Sequence, residues 1–257
     1  METYINNCDK YKKNIIYDFR LGSGGIGDYI KFFMIILTEC MNNNIRIYMK
    51  VNNIVIQKYI RLRYSKLYIT DKEIIKLKNY SIRRPQHYYK KEHYNYLVKI
   101  SDVFYFTEDI TNNIKNILCN PVKNYISIHL RLGDKYLETD KHYIQCKNDT
   151  RYFSEEKLHE FIEKNDDKNI LFFCDNHNYR LKLKKKYNNI ILTNSKIGHT
   201  SLYNTTDKQI LDSITDYYLL TMSDSIYAFS YSGFSITASL FNKISLVKMY
   251  YISLVNK

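Results

Sequence analysis

Tryptophan is absent from this chain, and proline occurs only twice and glycine seven times in 257 residues. That scarcity excludes collagen-like, proline-rich and glycine-rich flexible chains. The longest apolar run, Phe32 to Leu37, falls far short of the ~20 residues that cross a bilayer. The polar, charged start from Met1 to Lys13 lacks the apolar core of a signal peptide. Five cysteines, Cys8, Cys40, Cys119, Cys146 and Cys174, are odd in number and scattered, so neither a disulfide framework nor a paired metal-ligand spacing is present. A cytoplasmic protein with no transmembrane segment is the expectation.

What is present is an apolar fraction of 45%, enough to bury one large or two small cores. The abundance of Ile, Asn, Lys and Tyr reads as the coding bias of an A/T-rich genome. The formal net charge of +13 raises nucleic acid as a partner, but it is unevenly spread. Residues 1–120 hold 20 basic against 11 acidic side chains, and residues 121–257 hold 19 against 15.

From Pro121 onward, strand-like runs at 125–130, 169–174, 189–193, 225–229 and 244–249 alternate with helical spacings at 154–165, 177–187, 207–222 and 234–241. That alternation predicts a parallel sheet covered by helices. The first half repeats it less regularly: strands at 15–19, 45–49 and 66–69, helices at 26–40 and 54–63. Beyond residue 71 the pattern fades, and the polar aromatic stretch Arg83 to Tyr96 reads as a loop over a cleft. The expected architecture is α/β, two Rossmann-like domains over residues 1–120 and 121–257.

Four segments could carry chemistry, all where a strand ends. His129-Leu130-Arg131-Leu132-Gly133-Asp134 holds a cation and a carboxylate together. The Arg131 fork could grip phosphate oxygens, or it could simply pair with Asp134. Gly22 to Asp28 contains Gly24, Gly25 and Gly27 between a strand and a helix, suited to backbone approach by a ligand or to a plain packing turn, with Asp28 an N-terminal anion or a cap. Phe173 to Asn176 offers Asp175 as a nucleoside contact or as the cap of the next helix. Ser230, Ser232, Gly233, Phe234 and Ser235 crowd hydroxyls and amides at a helix start, where capping by Ser232 explains part of the pattern.

Together these residues resemble the superfamily of α1,2-, α1,6- and protein O-fucosyltransferases. His129 to Asp134 is similar to its His-x-Arg-x-Gly-Asp motif. The stretch from Asp212 through Asp216, Leu219, Ser223 and Ile226 to Ser232, Phe234 and Ser235 resembles the C-terminal block, which ends in a Ser-x-Phe-Ser turn. Phe173 to Asn176 is similar to the intervening Ser-Asp element, with Cys174 in place of Ser. Gly24 to Asp28 resembles the N-terminal glycine turn, with Asp28 in place of Asn. After the final turn, Ile236 and Thr237 stand where an aromatic pair is common, and residues 71–118 match no family element.

The resemblance implies a GT-B glycosyltransferase that inverts the anomeric centre and needs no metal. GDP-fucose would be the donor, GDP the product and a glycan the acceptor. The sequence has no Asp-x-Asp pair; Glu138 with Asp140 is the nearest approach. By the same carry-over, Arg131, Ser232 and Ser235 would meet the donor phosphates and Asp175 the nucleoside, with His129, Ser230, Gly233 and Phe234 completing the donor pocket. Asp28, with Asp134 behind it, is the expected general base. Another nucleotide sugar is an alternative donor. The competing reading is a basic nucleic-acid-binding module, built on Arg83, Arg84, His87, Tyr88, Tyr89, Lys90, Lys91, His93, Tyr94 and Tyr96, although no stable nucleic-acid complex is expected. The remaining histidines, His199 included, are expected to be surface or packing residues. Cytosolic glycan synthesis, as in a giant virus or another A/T-rich organism, fits the composition.

Overall fold

The computed structural model describes residues 1–88, 94–118, 120–133, 151–196, 198–203 and 205–250. The chain runs α1 (Glu2–Asn7), β1 (Asn14–Tyr17), α2 (Ile26–Asn42), β2 (Arg46–Lys50), α3 (Ile56–Tyr59), β3 (Ile60–Leu62), β4 (Tyr68–Ile69), α4 (Asp71–Ile74), β5 (Tyr80–Arg83), β6 (Phe104–Phe106) and α5 (Glu108–Ile117). It continues through β7 (Ile126–Leu130), α6 (Glu155–Glu163), β8 (Ile170–Cys174), α7 (His177–Lys186), β9 (Ile190–Ile191), α8 (Asp207–Thr221), β10 (Ser225–Ala228), α9 (Gly233–Asn242) and β11 (Ser245–Lys248).

Two parallel sheets result. The first has the order β4-β2-β1-β5 and the second β11-β10-β7-β8-β9. In each sheet the order reverses beside its first strand, between β1 and β5 in one and between β7 and β10 in the other. Every residue of β7 and β8 is buried, as a central strand covered on both faces requires. The helix α2 is buried around most of its circumference, from Ile26 and Tyr29 to Leu37 and Cys40. Such a helix lies inside the molecule, and α2 packs on both the first sheet and α9.

One apolar core runs through both halves. It includes Tyr29, Phe33 and Phe104 on one side and Tyr217, Leu220 and Phe241 on the other. The Phe106 ring touches Tyr217, Tyr218 and Phe241. A buried polar tie reinforces the join, with the Asn113 amide of α5 donating to Asp212 (2.9 Å) and Thr215 (3.0 Å) of α8.

One expectation needs correcting. The helix expected over 54–63 is a single turn, α3, followed by β3, because β-branched Ile60 and the following residues pair antiparallel with β6. Within 71–118, where the sequence pattern fades, β5 completes the first sheet beside β1 and α5 packs on α8. The burial pattern of β5 alternates between exposed and partly buried, as befits an edge strand whose outer face meets water.

Candidate functional site

Arg131 follows β7 and Ser230 follows β10, so both stand at the carboxyl end of the second sheet, where its strand order reverses. Open α/β sheets bind ligands at this position. Parallel pairing of β7 with β10 brings the two segments together, and the Arg131 amide donates to Ser230 Oγ at 2.7 Å. The two segments, separated by about a hundred residues of sequence, therefore converge on one edge.

Asp175, at the end of the neighbouring β8, takes a different place from the one expected. Its carboxylate accepts from the Arg131 guanidinium (2.8 Å), the Leu132 amide (2.7 Å) and the Gly133 amide (3.1 Å). Asn176, not Asp175, caps α7, accepting from the Tyr179 amide at 2.8 Å. Asp175 thus pairs with the guanidinium at the strand end. Asp134, Glu138 and Asp140 lie outside the described residues, as do Tyr89, Lys90, Lys91 and His93.

The N-terminus of α9 forms the adjoining wall. Ser232 caps it, accepting from the Phe234 amide at 3.3 Å, while the Ser235 hydroxyl is buried and donates to the Ser232 carbonyl at 3.2 Å. The Ser235 hydroxyl is thus spent within its own turn. Open space surrounds the position a Gly233 Cβ would take. The His129 ring stacks on Phe234, with centroids 5.2 Å apart and planes at 21°, and its buried Nδ1 has no partner among the described residues.

The glycine turn comes from the other half and meets this wall. At Gly24 the backbone has a φ of +131°, and a Cβ there would collide with Asp28. A Cβ at Gly27 would lie 2.6 Å from the Gly233 carbonyl carbon. Gly27 therefore serves the contact between α2 and α9, in keeping with the packing-turn alternative at that position. Asp28 accepts from the Gly25 amide (3.2 Å) at the start of α2 and pairs with Lys31 at 3.2 Å. Beside the turn, Thr200 donates to the Gly24 carbonyl at 3.3 Å, and His199 lines Gly25 with its Nδ1 2.6 Å from Ser201 Oγ. Spacing along the chain carries no signal for His199, because it reaches the turn only through the tertiary fold.

The second half also holds a largely buried charged network. Arg180, 1% exposed, donates to Thr193 and to Ser195 Oγ, and Ser195 donates to Asp216 at 2.6 Å. Burial pushes the Asp216 carboxyl up to about 6, against the lowering effect of Arg180 and the nearby hydroxyls. Burial, with the charges of Arg131 and Arg151, pulls His129 down to about 3. Among the described residues, no three of His, Cys, Asp and Glu converge as a metal site would require.

These two shifts act oppositely on stability. The contribution of His129 is present above its ordinary value near 6.5 and is lost as pH falls towards 3; that of Asp216 is present below about 3.8 and is lost as pH rises through 6. Between pH 7 and pH 4 the former loses about 3 kcal/mol and the latter regains about 2. The wild-type melting temperature should therefore change little on their account. Over the same interval, His129→Gln should gain stability on acidification and Asp216→Asn should lose it, whatever constant offset each carries. Parallel slopes for the two variants would refute the assignment.

No family model matches the sequence, and no curated protein does. Solved structures do. Crystal structures of NodZ α-1,6-fucosyltransferase, one soaked with GDP-fucose and one co-crystallised with GDP, match with TM-scores of 0.54 and 0.56. Fucosyltransferase NodZ from Bradyrhizobium matches at 0.56. In each case identity is 11% and the match covers 90% of this chain and 93% of the other. The likeness therefore extends over nearly the whole of both chains, and this protein has the GT-B fold of those fucosyltransferases.

Proposed function

We propose that this protein is a glycosyltransferase that moves fucose from GDP-fucose to a glycan hydroxyl, with inversion and without a metal ion. The donor would be bound mainly by residues 121–257 and the acceptor by residues 1–120. The observation that carries this reading is the 2.7 Å hydrogen bond from the Arg131 main-chain amide to Ser230 Oγ, which joins the segment bearing the Arg131 side chain and the segment leading into α9 at one sheet edge. The structures of similar fold with GDP-fucose or GDP support the choice of nucleotide.

In the reaction, an acceptor oxygen attacks the anomeric carbon as the bond to the diphosphate breaks, and the acceptor proton leaves to a base. Negative charge grows on the departing diphosphate. Arg131 and the amides at the start of α9 answer it, since preorganised donors aimed at developing charge are worth a few kcal/mol in such a step. The macrodipole of α9 adds to the effect. His129 and Phe234 would form a flat floor for the nucleotide, with His129 neutral because of its burial. Asp28 is engaged by the Gly25 amide and Lys31, which favours a structural role over that of the base.

Thermal melting with a panel of nucleotides tests the reading. At a hundred times its dissociation constant a ligand stabilises by about 2.7 kcal/mol, a shift of roughly 5–10 °C for a chain of this size. GDP and GDP-fucose should produce it, and uridine or cytidine nucleotides should not. Equal shifts from all bases, or none from GDP, would defeat the proposal.

A further inference from the structure

The first sheet carries a charged cluster at its own carboxyl edge that the donor chemistry leaves unused. Asp18, directly after β1, is fully buried and accepts from Arg20 at 2.7 Å, from Arg84 Nε at 3.2 Å and from the Asn52 amide at 2.9 Å. These donors stand beyond the ends of β1, β5 and β2, and β1 and β5 flank the point where this sheet reverses its order. The first sheet thus presents guanidiniums at the same topological position at which the second presents Arg131.

A buried carboxylate needs compensating donors, and one bidentate arginine with Asn52 would suffice. Here two arginines share the task, and both keep their outer surfaces in solvent, with side chains 51% and 37% exposed. Lys50 stands on the same edge, paired with the exposed Asp71 at 2.7 Å. Arg20, Arg84 and Lys50 thus meet Asp18 and Asp71 at this edge. Burial works against ionisation of Asp18, but the hydrogen bonds from Arg20, Asn52 and Arg84 outweigh it and hold the carboxyl below its ordinary value. The anchor stays ionised at neutral pH and fixes both guanidiniums, which lowers the entropy they lose on binding a ligand.

The cluster also adjoins the contact between the halves. The Arg20 amide donates to Ser23 Oγ at 3.0 Å and the Ser23 amide to the Arg20 carbonyl at 2.9 Å. That turn leads directly to Gly24 and Gly25, which meet Thr200 and His199 of the other half. A molecule held by the arginines would lie beside the glycine turn, facing the donor edge.

We propose that Arg20 and Arg84 form an acceptor subsite for a saccharide that bears an oxyanion, either a uronic carboxylate or a sugar phosphate. The proposal rests on the transferase reading and names its acceptor class. Planar guanidiniums bind either oxyanion through charge-assisted hydrogen bonds, which a neutral hydroxyl cannot match.

Isothermal titration of the full-length protein, with and without GDP, provides the test. The probes are chitotetraose, tetragalacturonate, a singly phosphorylated mannotetraose and a single-stranded tetranucleotide. At least one charged saccharide should bind about tenfold more tightly than chitotetraose, and whichever does so identifies carboxylate or phosphate. Arg20→Gln and Arg84→Gln should each abolish that preference while GDP binding persists. Equal affinity for charged and neutral saccharides in the wild type overturns the proposal, and this comparison decides even where a variant fails to fold. A preference kept by both variants, or a tetranucleotide bound more tightly than either charged saccharide, overturns it too. Failure of GDP to bind would instead strike the transferase reading, while the saccharide titration would still decide separately whether the arginines hold an oxyanion.

Discussion

Replacing Arg131 with lysine should lower the rate of sugar transfer by about a hundred- to a thousandfold while leaving the melting temperature of the unliganded protein near that of the wild type. In the proposed reaction the guanidinium would perform two duties at once. One side meets Asp175 at 2.8 Å, and the diphosphate of the proposed donor would meet the same guanidinium. A lysine offers one compact ammonium on a flexible stem. It can satisfy Asp175 or the leaving group, but it lacks the planar fork that serves both. Asp175 would still accept from the Leu132 and Gly133 amides, so the strand end should hold its shape. The check is transfer from labelled GDP-fucose at saturating donor, with a melting curve beside it. Turnover close to wild type would remove Arg131 from the chemistry, and a large fall in melting temperature would make its role structural.

Gly27→Ala should cost stability of about 3 kcal/mol, near the upper end of ordinary overpacking. For a chain of this length that lowers the melting temperature by roughly 6–12 °C. The added Cβ would lie 2.6 Å from the Gly233 carbonyl carbon and 2.7 Å from its oxygen. Both are backbone atoms, which cannot rotate aside as a side chain can, so α2 and α9 must separate. Because Gly233 and Phe234 open α9, the same displacement should weaken GDP binding. Gly25→Ala and Gly233→Ala are the controls. A Cβ at Gly25 meets His199 no closer than 3.4 Å, and one at Gly233 meets nothing within 4 Å. Both should melt near wild type, whereas equal loss at all three positions would indicate a general intolerance of side chains in the turns.

Most of the regular structure is legible in the sequence because its causes are local. The apolar runs at β7 and β8 and the helical spacing of α8 identify themselves, and Ser154 is readable as the start of α6, where it accepts from the Lys157 amide. The exceptions depend on distant partners. β5 is a four-residue strand with a partly exposed face, and only its pairing with β1 gives it a place. β3 follows a helical turn without interruption and is drawn out by β6.

The candidate site divides along the same line. Sequence by itself determined that an arginine, a carboxylate and a serine-rich helix start would stand at strand ends, since each depends on a strand followed by a turn. It determined the glycine turn for the same reason. Tertiary structure decided that Asp175 pairs with Arg131, because Asp175 becomes its neighbour only when β8 pairs with β7. Tertiary structure also decided that Gly27 serves a helix contact, and that Asp18 gathers Arg20, Asn52 and Arg84 from three strand ends. A strand's own residues dictate what emerges at its end, but which ends stand side by side depends on sheet order, and sheet order is set by packing between residues far apart in the chain.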